Sequence, residues 1–391
     1  MKLPEPEARH DFLAARRNAK MASSPQAYVR GNTARYYEWL HSTKGQSLPS
    51  GPAIWICGDC HSGNLGPLGD PKGRIDVQIR DFDQATIGNP AHDLVRLGLS
   101  LATAARGSCL PGIVTAHMLE SMLVGYQQAF HGDDSITIKV PSTVKRILHS
   151  TAKRSWKHLA KERIVNTDPI IPLGKNFWPL SDTERNGIKE LFRLPEMTAL
   201  VTALKSRDND AKVKVLDAAY WVKGCSSLGL LRYAVLVCVN GKEHCLIDMK
   251  EAVHAAAPRY PRVHMPRDNA KRVVEGARQL SPSLGERMTA QRFADRGVFV
   301  RELLPQDLKL TIDQLSIDEA TRTASYLAYV VGTAHARQMD GATKASWLHE
   351  LTLSRNKSAD TPAWLWKSVV QLMADHESGY LEHCRLYATT T

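Results

Sequence analysis

Gly58-Asp59-Cys60-His61-Ser62-Gly63-Asn64 follows directly on the apolar run Ala53-Ile54-Trp55-Ile56-Cys57. Asp81-Phe82-Asp83 and Gly88-Asn89-Pro90-Ala91-His92-Asp93-Leu94 come next. Bounded by Gly51-Pro52 and Gly58, the apolar run reads as a short buried strand, and a second strand is expected over Ile75 to Ile79 after a turn at 69–73. Polar groups therefore crowd into loops immediately behind two strands. Phosphoryl transfer needs a carboxylate to orient or deprotonate the acceptor, together with oxygen ligands that hold Mg²⁺ on nucleotide phosphates. Asp59, Asn64 and Asp81 supply that set, and Asp83 is a candidate second carboxylate ligand. If these acids merely capped turns, five separated polar positions would have to coincide.

GDCHSGN at 58–64, DFD at 81–83 and GNPAHDL at 88–94 together resemble the catalytic loop, metal-binding aspartate and GxPxxDL helix start of aminoglycoside phosphotransferases and related kinase-like enzymes. The resemblance implies that Asp59 is the catalytic base, Asn64 and Asp81 are metal ligands, and Asp93 is a structural cap. His61 would support the catalytic loop or touch substrate. The Asp-x-x-x-x-Asn spacing also matches the general kinase loop. A closer resemblance, over most of the chain, is to an uncharacterised bacterial family, the domain of unknown function numbered 2252. Its pieces here are KMA at 20–22, YVRG at 28–31, GDCHSGNLG, DFDQ, DLVRLGLSL, LIDMKEA, RVVEGARQL and AHARQMD. That family supplies no substrate.

A kinase-like fold also requires a Gly-rich hairpin, a strand lysine and a helix carboxylate. Gly224-Cys225-Ser226-Ser227-Leu228-Gly229 lies between two expected strands, Lys250 ends a third, and Glu275 falls on the helix around RVVEGARQL. Gly224, Ser226, Ser227 and Gly229 are thus the expected phosphate-covering loop, with Lys250 and Glu275 the expected ion pair. Taken singly, each also reads as an ordinary turn or a solvated charge. In the usual order these parts precede the catalytic loop, whereas here they follow it, so a circular permutation is inferred. Phe299 to Leu304 would be the strand and hinge between lobes, and Leu327 to His335 the helix that usually runs before the catalytic loop.

The expected fold class is α+β: a kinase-like, two-lobed, circularly permuted architecture. Its parts are a helical extension at 1–50, a helical large lobe at 51–212 and a β-rich nucleotide-binding lobe at 213–305, with C-terminal helices at 306–391 completing the large lobe. Helices are expected at 5–20 and 25–40, and stripes of three- to four-residue period continue from 90 to 206. The β unit runs over 214–222, 228–239 and 243–250, with Asn240-Gly241 as a hairpin turn. Helices at 267–280, 316–339 and 361–387 and a strand at 297–304 follow.

With 391 residues, 43% hydrophobic and 23% charged, the composition is that of a folded chain of two or three domains. A net charge of +11 favours phosphate-bearing ligands without choosing among them. No apolar run is long enough to span a membrane, and the first 25 residues lack a signal-peptide core, so a soluble cytoplasmic protein is expected. Seven scattered cysteines argue for reduced thiols. Cys57 and Cys60 form a CxxC without a second pair, so a packing role is expected rather than zinc. Lys145, Arg146, Lys153, Arg154, Lys157, Lys161 and Arg163 form a basic stretch best read as a solvated helix face, and no nucleic-acid-binding signature accompanies it. The expected ligands are ATP, Mg²⁺ and a small-molecule acceptor, protein acceptors being the alternative. A nucleotide-binding pseudokinase or regulatory scaffold, or transfer of AMP on the same fold, are the competing readings.

Overall fold

The computed structural model describes residues 4–42, 48–70, 74–131, 138–152, 170–203, 207–208, 211–241, 243–304, 316–353 and 363–387. Three N-terminal helices open the chain: α1 (Arg9–Ala22), α2 (Pro25–Gly31) and α3 (Thr33–His41). The helix expected over 25–40 divides at Asn32, whose non-helical backbone lets its side chain accept the Arg35 N–H and cap α3. Ser24 caps α2, with Pro25 in the first turn.

Next come β1 (Ile54–Ile56), β2 (Leu65–Gly69), β3 (Ile75–Ile79) and β4 (Thr86–Gly88), forming two antiparallel ribbons, β1 with β4 and β2 with β3. β2 and β4 carry no strand signal in sequence. Leu65-Gly-Pro-Leu-Gly69 is tolerated because both strands of a two-stranded ribbon are edges, where Pro67 forfeits no ladder bond in a sheet interior. Positions 71–73 of the expected turn lie outside the described residues. α4 (Ala91–Gly107), α5 (Gly112–Gln128) and α6 (Ser142–Ala152) follow. Leu94, Leu97 and Leu101 of the expected stripe are fully buried. Most of the expected basic stretch, from Lys153 onward, lies outside the described residues.

A six-stranded antiparallel sheet is then built from β5 (Phe177–Trp178), β6 (Val213–Trp221), β7 (Arg232–Val239), β8 (Glu243–Glu251), β9 (Met288–Phe293) and β10 (Arg296–Leu303), in the order β5-β6-β7-β8-β10-β9. Between its strands lie α7 (Asp182–Leu191), α8 (Pro195–Val201), α9 (Asn269–Leu280) and α10 (Pro282–Gly285); α11 (Ile317–Ala336), α12 (Gly341–Leu353) and α13 (Ala363–Tyr387) close the chain. Asn240 and Gly241 both take positive φ, as a two-residue hairpin turn requires.

The 51–212 grouping needs correction. β5 pairs with Tyr220 and Trp221, and Ile188, Leu191, Phe192 and Met197 of the α7–α8 segment pack on one sheet face with Tyr233, Val235 and Val300. Residues 171–201 therefore pack with the sheet, not with the helical core. The helical core instead joins α3, α4, α5, α11, α12 and α13 to β1–β4, and takes in the inner face of α9.

The other sheet face positions the site. Strand alternation places Leu246, Asp248 and Lys250 on one side of β8, and the register sets Arg232, Ala234 and Leu236 beside them on β7, with Phe299, Arg301 and Leu303 on β10. This face has a polar end, Arg232, Asp248, Lys250 and Arg301. Its apolar end, Ala219, Ala234, Leu236, Leu246 and Leu303, clusters with Ile171, Phe177 and Trp221.

Candidate active site

Gly58 starts the first loop with φ +73°, and a Cβ there would lie 2.1 Å from the Gln84 carbonyl oxygen, so only glycine fits. Asp93, fully buried in the first turn of α4, accepts the N–H groups of Cys57 (2.7 Å) and Gly58 (2.9 Å). Tyr37 donates to the Gly58 carbonyl at 2.8 Å. The Trp347 indole, which can only donate, reaches the Tyr126 hydroxyl at 3.1 Å, and Tyr126 lies 2.9 Å from His335 Nδ1. Tyr126 therefore donates to Nδ1, leaving His335 Nε2–H to donate to Asp93 at 3.2 Å. Asp93 therefore fastens the start of the 58–64 loop rather than capping α4, whose N-cap is Pro90, and His335 braces it.

Asp59 is held by Arg96, whose Nε donates to Oδ1 at 2.7 Å while Nη2 donates to the Val29 carbonyl at 2.6 Å. Asn64 Nδ2 donates to the Asp59 carbonyl at 2.9 Å, which leaves its amide oxygen for another partner. His61 Nδ1 accepts the Gly63 N–H at 3.1 Å, so in the neutral ring Nε2 carries the proton, 3.8 Å from Asp59 Oδ2. Burial is the main cause that lowers the His61 pKa to about 4; Asp59 opposes it, while Arg96 and Arg30 reinforce it. His61 is thus held in the neutral form, with Nδ1 taken by the Gly63 N–H and Nε2–H turned toward Asp59.

Lys250, at the end of β8, pairs with Asp83 Oδ2 and lies 3.8 Å from Asp81 Oδ1. Its side chain is 5% exposed and that of Asp81 is 43% exposed. Burial and the neighbouring Asp81 charge raise the Asp83 carboxyl above its ordinary value against the pull of Lys250. Partial burial works against ionisation of Asp81, but Lys250, then Arg301 and Arg232, hold its carboxyl below the usual range. One ammonium thus serves two carboxylates, and Asp83 Oδ1 is buried without a hydrogen-bond partner. A divalent cation would relieve both conditions. Among the described residues no three His, Cys, Asp or Glu side chains converge on a metal position. Asn64, Asp81 and Asp83 fit only an ion that takes one or two carboxylates and draws its other ligands from phosphate and water, as Mg²⁺ does.

Glu275 is the sequence expectation that the geometry overturns. It does not meet Lys250; instead it accepts from Gln279 at 2.9 Å and lies 3.7 Å from Arg278 on the exposed side of α9. The reason is helix phase: Val273, Val274, Ala277 and Leu280 form the buried face, and Arg272 beside them donates to the Asp83 and Val253 carbonyls, both at 2.9 Å.

The loop between β6 and β7 has positive φ at Gly224 and Gly229. Lys20 donates to the Gly224 carbonyl at 2.7 Å, and His10 Nδ1 lies 3.1 Å from that of Gly229, so α1 covers the loop. Ser227 is buried and Ser226 exposed. Sequence reasoning missed Arg96, Asp248, Arg232 and Arg301. Asp248, fully buried, accepts from Arg232 at 2.9 and 2.6 Å and from Arg301 at 3.3 and 3.1 Å. Their signal was charge inside apolar runs, as with Arg96 between Val95 and Leu97. Cys57 and Cys60 are buried free thiols.

The chain is thus a protein of mixed helix and sheet, with a polar loop cluster set against a sheet lysine, and no described helix is long and apolar enough to cross a membrane. The profile of a family described as "Uncharacterized protein conserved in bacteria (DUF2252)" matches residues 9–386, and the chain belongs to that family. No curated protein and no solved structure matches it.

Proposed function

We propose that this protein is a circularly permuted, kinase-like phosphotransferase that uses ATP and Mg²⁺ to phosphorylate a small-molecule acceptor. The observation that carries the reading is the meeting of Lys250 with Asp81 and Asp83, three side chains that a phosphate-and-metal site needs together. Chain order supports it: a glycine-bearing hairpin β6–β7, a lysine on β8, the helix α9 and a hairpin β9–β10 follow one another as in a kinase nucleotide lobe, while the Asp59 loop precedes them.

Mg²⁺, when bound, would neutralise charge on the phosphates, held by Asp81, Asp83 Oδ1 and the free amide oxygen of Asn64. Lys250 would hold phosphate oxygens. Asp59 Oδ1 is tied to Arg96, so Oδ2 would take the acceptor hydroxyl. The acceptor oxygen bonds to the γ-phosphorus as the bond to the ADP oxygen breaks, and the hydroxyl proton leaves toward Oδ2. Positioning and electrostatics supply most of the rate.

The absent Lys250–Glu275 pair favours a second reading, a nucleotide-binding scaffold or an enzyme that transfers AMP. Calorimetric titration of ATP with and without Mg²⁺ into wild type and Asp81→Asn tests the nucleotide premise. Metal-dependent binding lost in the variant is expected, and no binding to the folded wild type overturns the proposal. Asp59→Asn should abolish transfer while retaining nucleotide. Product mass separates phosphoryl from nucleotidyl transfer.

A further inference from the structure

The C-terminal half of α2 stands between the two loops of the proposed site. On one side, Cys225 Sγ of the 224–229 loop lies 4.0 Å from the Ala27 carbonyl oxygen, and a Cβ built at Gly31 would come within 3.0 Å of the same sulfur. On the other, a Cβ built at Gly63 would lie 3.2 Å from the Arg30 guanidinium and 3.1 Å from His61 Cε1. The absence of a side chain at 63 leaves room for that approach. The place of Arg30 relative to Asp59 is fixed through the backbone. The Arg96 guanidinium that donates to Asp59 Oδ1 at 2.7 Å also donates, at 2.6 Å, to the carbonyl of Val29, the residue before Arg30.

Arg30 is half-buried, and among the described residues its side chain has neither a hydrogen bond nor an ion pair. Other cations of the centre are committed: Arg96 to Asp59, Arg232 and Arg301 to Asp248, and Lys250 to Asp81 and Asp83. The loop offers an anion little of its own, since the N–H groups of Ser62, Gly63 and Asn64 go to Ser100 Oγ, His61 Nδ1 and the His61 carbonyl. A guanidinium partly removed from water is ordinarily paired, and its planar fork matches phosphate oxygens.

We infer that Arg30 grips the terminal phosphate of the nucleotide beside the 58–64 loop, so that the site distinguishes Mg-ATP from Mg-ADP. The inference rests on the phosphotransferase reading, which puts that phosphate between the glycine hairpin and the Asp59 loop, where Arg30 lies. The guanidinium takes no part in bond making. While the γ-phosphorus passes from the ADP oxygen to the acceptor oxygen and the hydroxyl proton goes to Asp59, Arg30 stays protonated and donates to the phosphoryl oxygens throughout. It thus adds positive charge that Lys250, shared between two carboxylates, lacks.

The test is calorimetric titration of the full chain with Mg-ADP and with Mg-ATP, in the absence of acceptor. Wild type should bind Mg-ATP the more tightly. Arg30→Gln should weaken Mg-ATP about tenfold, the loss of one charge-assisted contact, and leave Mg-ADP within about twofold, which also shows that the variant is folded. Arg30→Lys, which keeps the charge without the fork, should lie between wild type and Arg30→Gln. The inference falls if Arg30→Gln weakens both nucleotides equally or neither, or if wild type binds both alike; the phosphotransferase reading survives those outcomes. If the folded wild type binds neither nucleotide, that reading falls and takes the inference with it.

Discussion

Replacing Asp93 with Asn puts the start of the 58–64 loop to a quantitative test. The carboxylate is fully buried and takes the N–H groups of Cys57 at 2.7 Å and Gly58 at 2.9 Å, and the Nε2–H of His335 at 3.2 Å. An amide in its place offers one oxygen and one NH₂, so a backbone donor must face another donor. Hydrogen bonds to a buried charged group contribute roughly 1.5–3 kcal/mol each, and a stranded partner costs about as much again. Because Asn keeps one acceptor, the net loss should be about 3 kcal/mol. For 391 residues, an unfolding entropy of roughly 2 cal/mol/K per residue turns this into a Tm drop of about 4 °C if the chain melts as one unit. Differential scanning calorimetry reads the stability, and amide exchange at Cys57 and Gly58 reads the loop, where protection should fall by at least tenfold, the equivalent of about 1.4 kcal/mol. A variant with Tm within 1 °C of wild type (about 0.8 kcal/mol by the same conversion), or with unchanged exchange at both amides, would refute the claim that Asp93 fixes the loop.

Asp248→Asn should destabilise by roughly 3–5 kcal/mol, because Arg232 and Arg301 would be left as uncompensated buried cations; in a denaturant titration, Asp248→Leu combined with Arg232→Met should cost less than the sum of the single changes. Glu275→Ala should change stability by no more than about 0.5 kcal/mol and leave Mg-ATP affinity as it is, since Glu275 contacts only its own exposed helix face; a tenfold loss of affinity would restore it as the partner of Lys250. His376 is buried beside Arg96, and burial first, then that charge, lowers its pKa to about 3. Its folded pKa lies below the unfolded value, so stability is intact above about pH 6.5 and is lost as pH falls toward 3. At pH 5 the loss is about 2 kcal/mol, and His376→Leu should remove that part of the pH dependence in melts at pH 5 and pH 8.

Much of the site was legible because its parts are local strings. GDCHSGN behind an apolar run, DFD behind a second and Asn240-Gly241 between two β-prone runs each fold by short-range rules, and the structure puts all three in loops or turns at strand ends. Partnership across long separations was not legible. Lys250 could be named as a site lysine, but whether it meets Glu275, 25 positions on, or Asp83, 167 positions back, depends on how α9 turns against the helical core. Part of that answer lay in the sequence: Val273, Val274, Ala277 and Leu280 define an inner stripe that leaves Glu275 at its margin. The two-residue strand β5 had no such signal, and without it nothing local sends α7 and α8 to the sheet instead of the helical core.

Charge balance then separates the roles of the two walls. In the centre of the site Asp59 is met by Arg96, Asp248 by Arg232 and Arg301, and Asp81 with Asp83 by Lys250, so four acids face four bases. Such a centre has little net attraction for a polyanion, and its charges are committed to holding one another in place. Magnesium-bound ATP, the proposed donor, still carries net negative charge. Further cations lie toward the N-terminal helices, Arg16 and Lys20 on α1, Arg30 on α2, and Lys223 beside Trp221. In the proposed phosphotransferase, attraction and geometry would be divided between segments: the N-terminal helices and the 222–231 loop would draw Mg-ATP in, while the balanced centre would orient it without having to release an internal ion pair. A buried ion pair stripped of one partner leaves an uncompensated charge, at a cost of several kcal/mol, so such a division would let the proposed enzyme bind negative charge without unfastening the residues that define the candidate site.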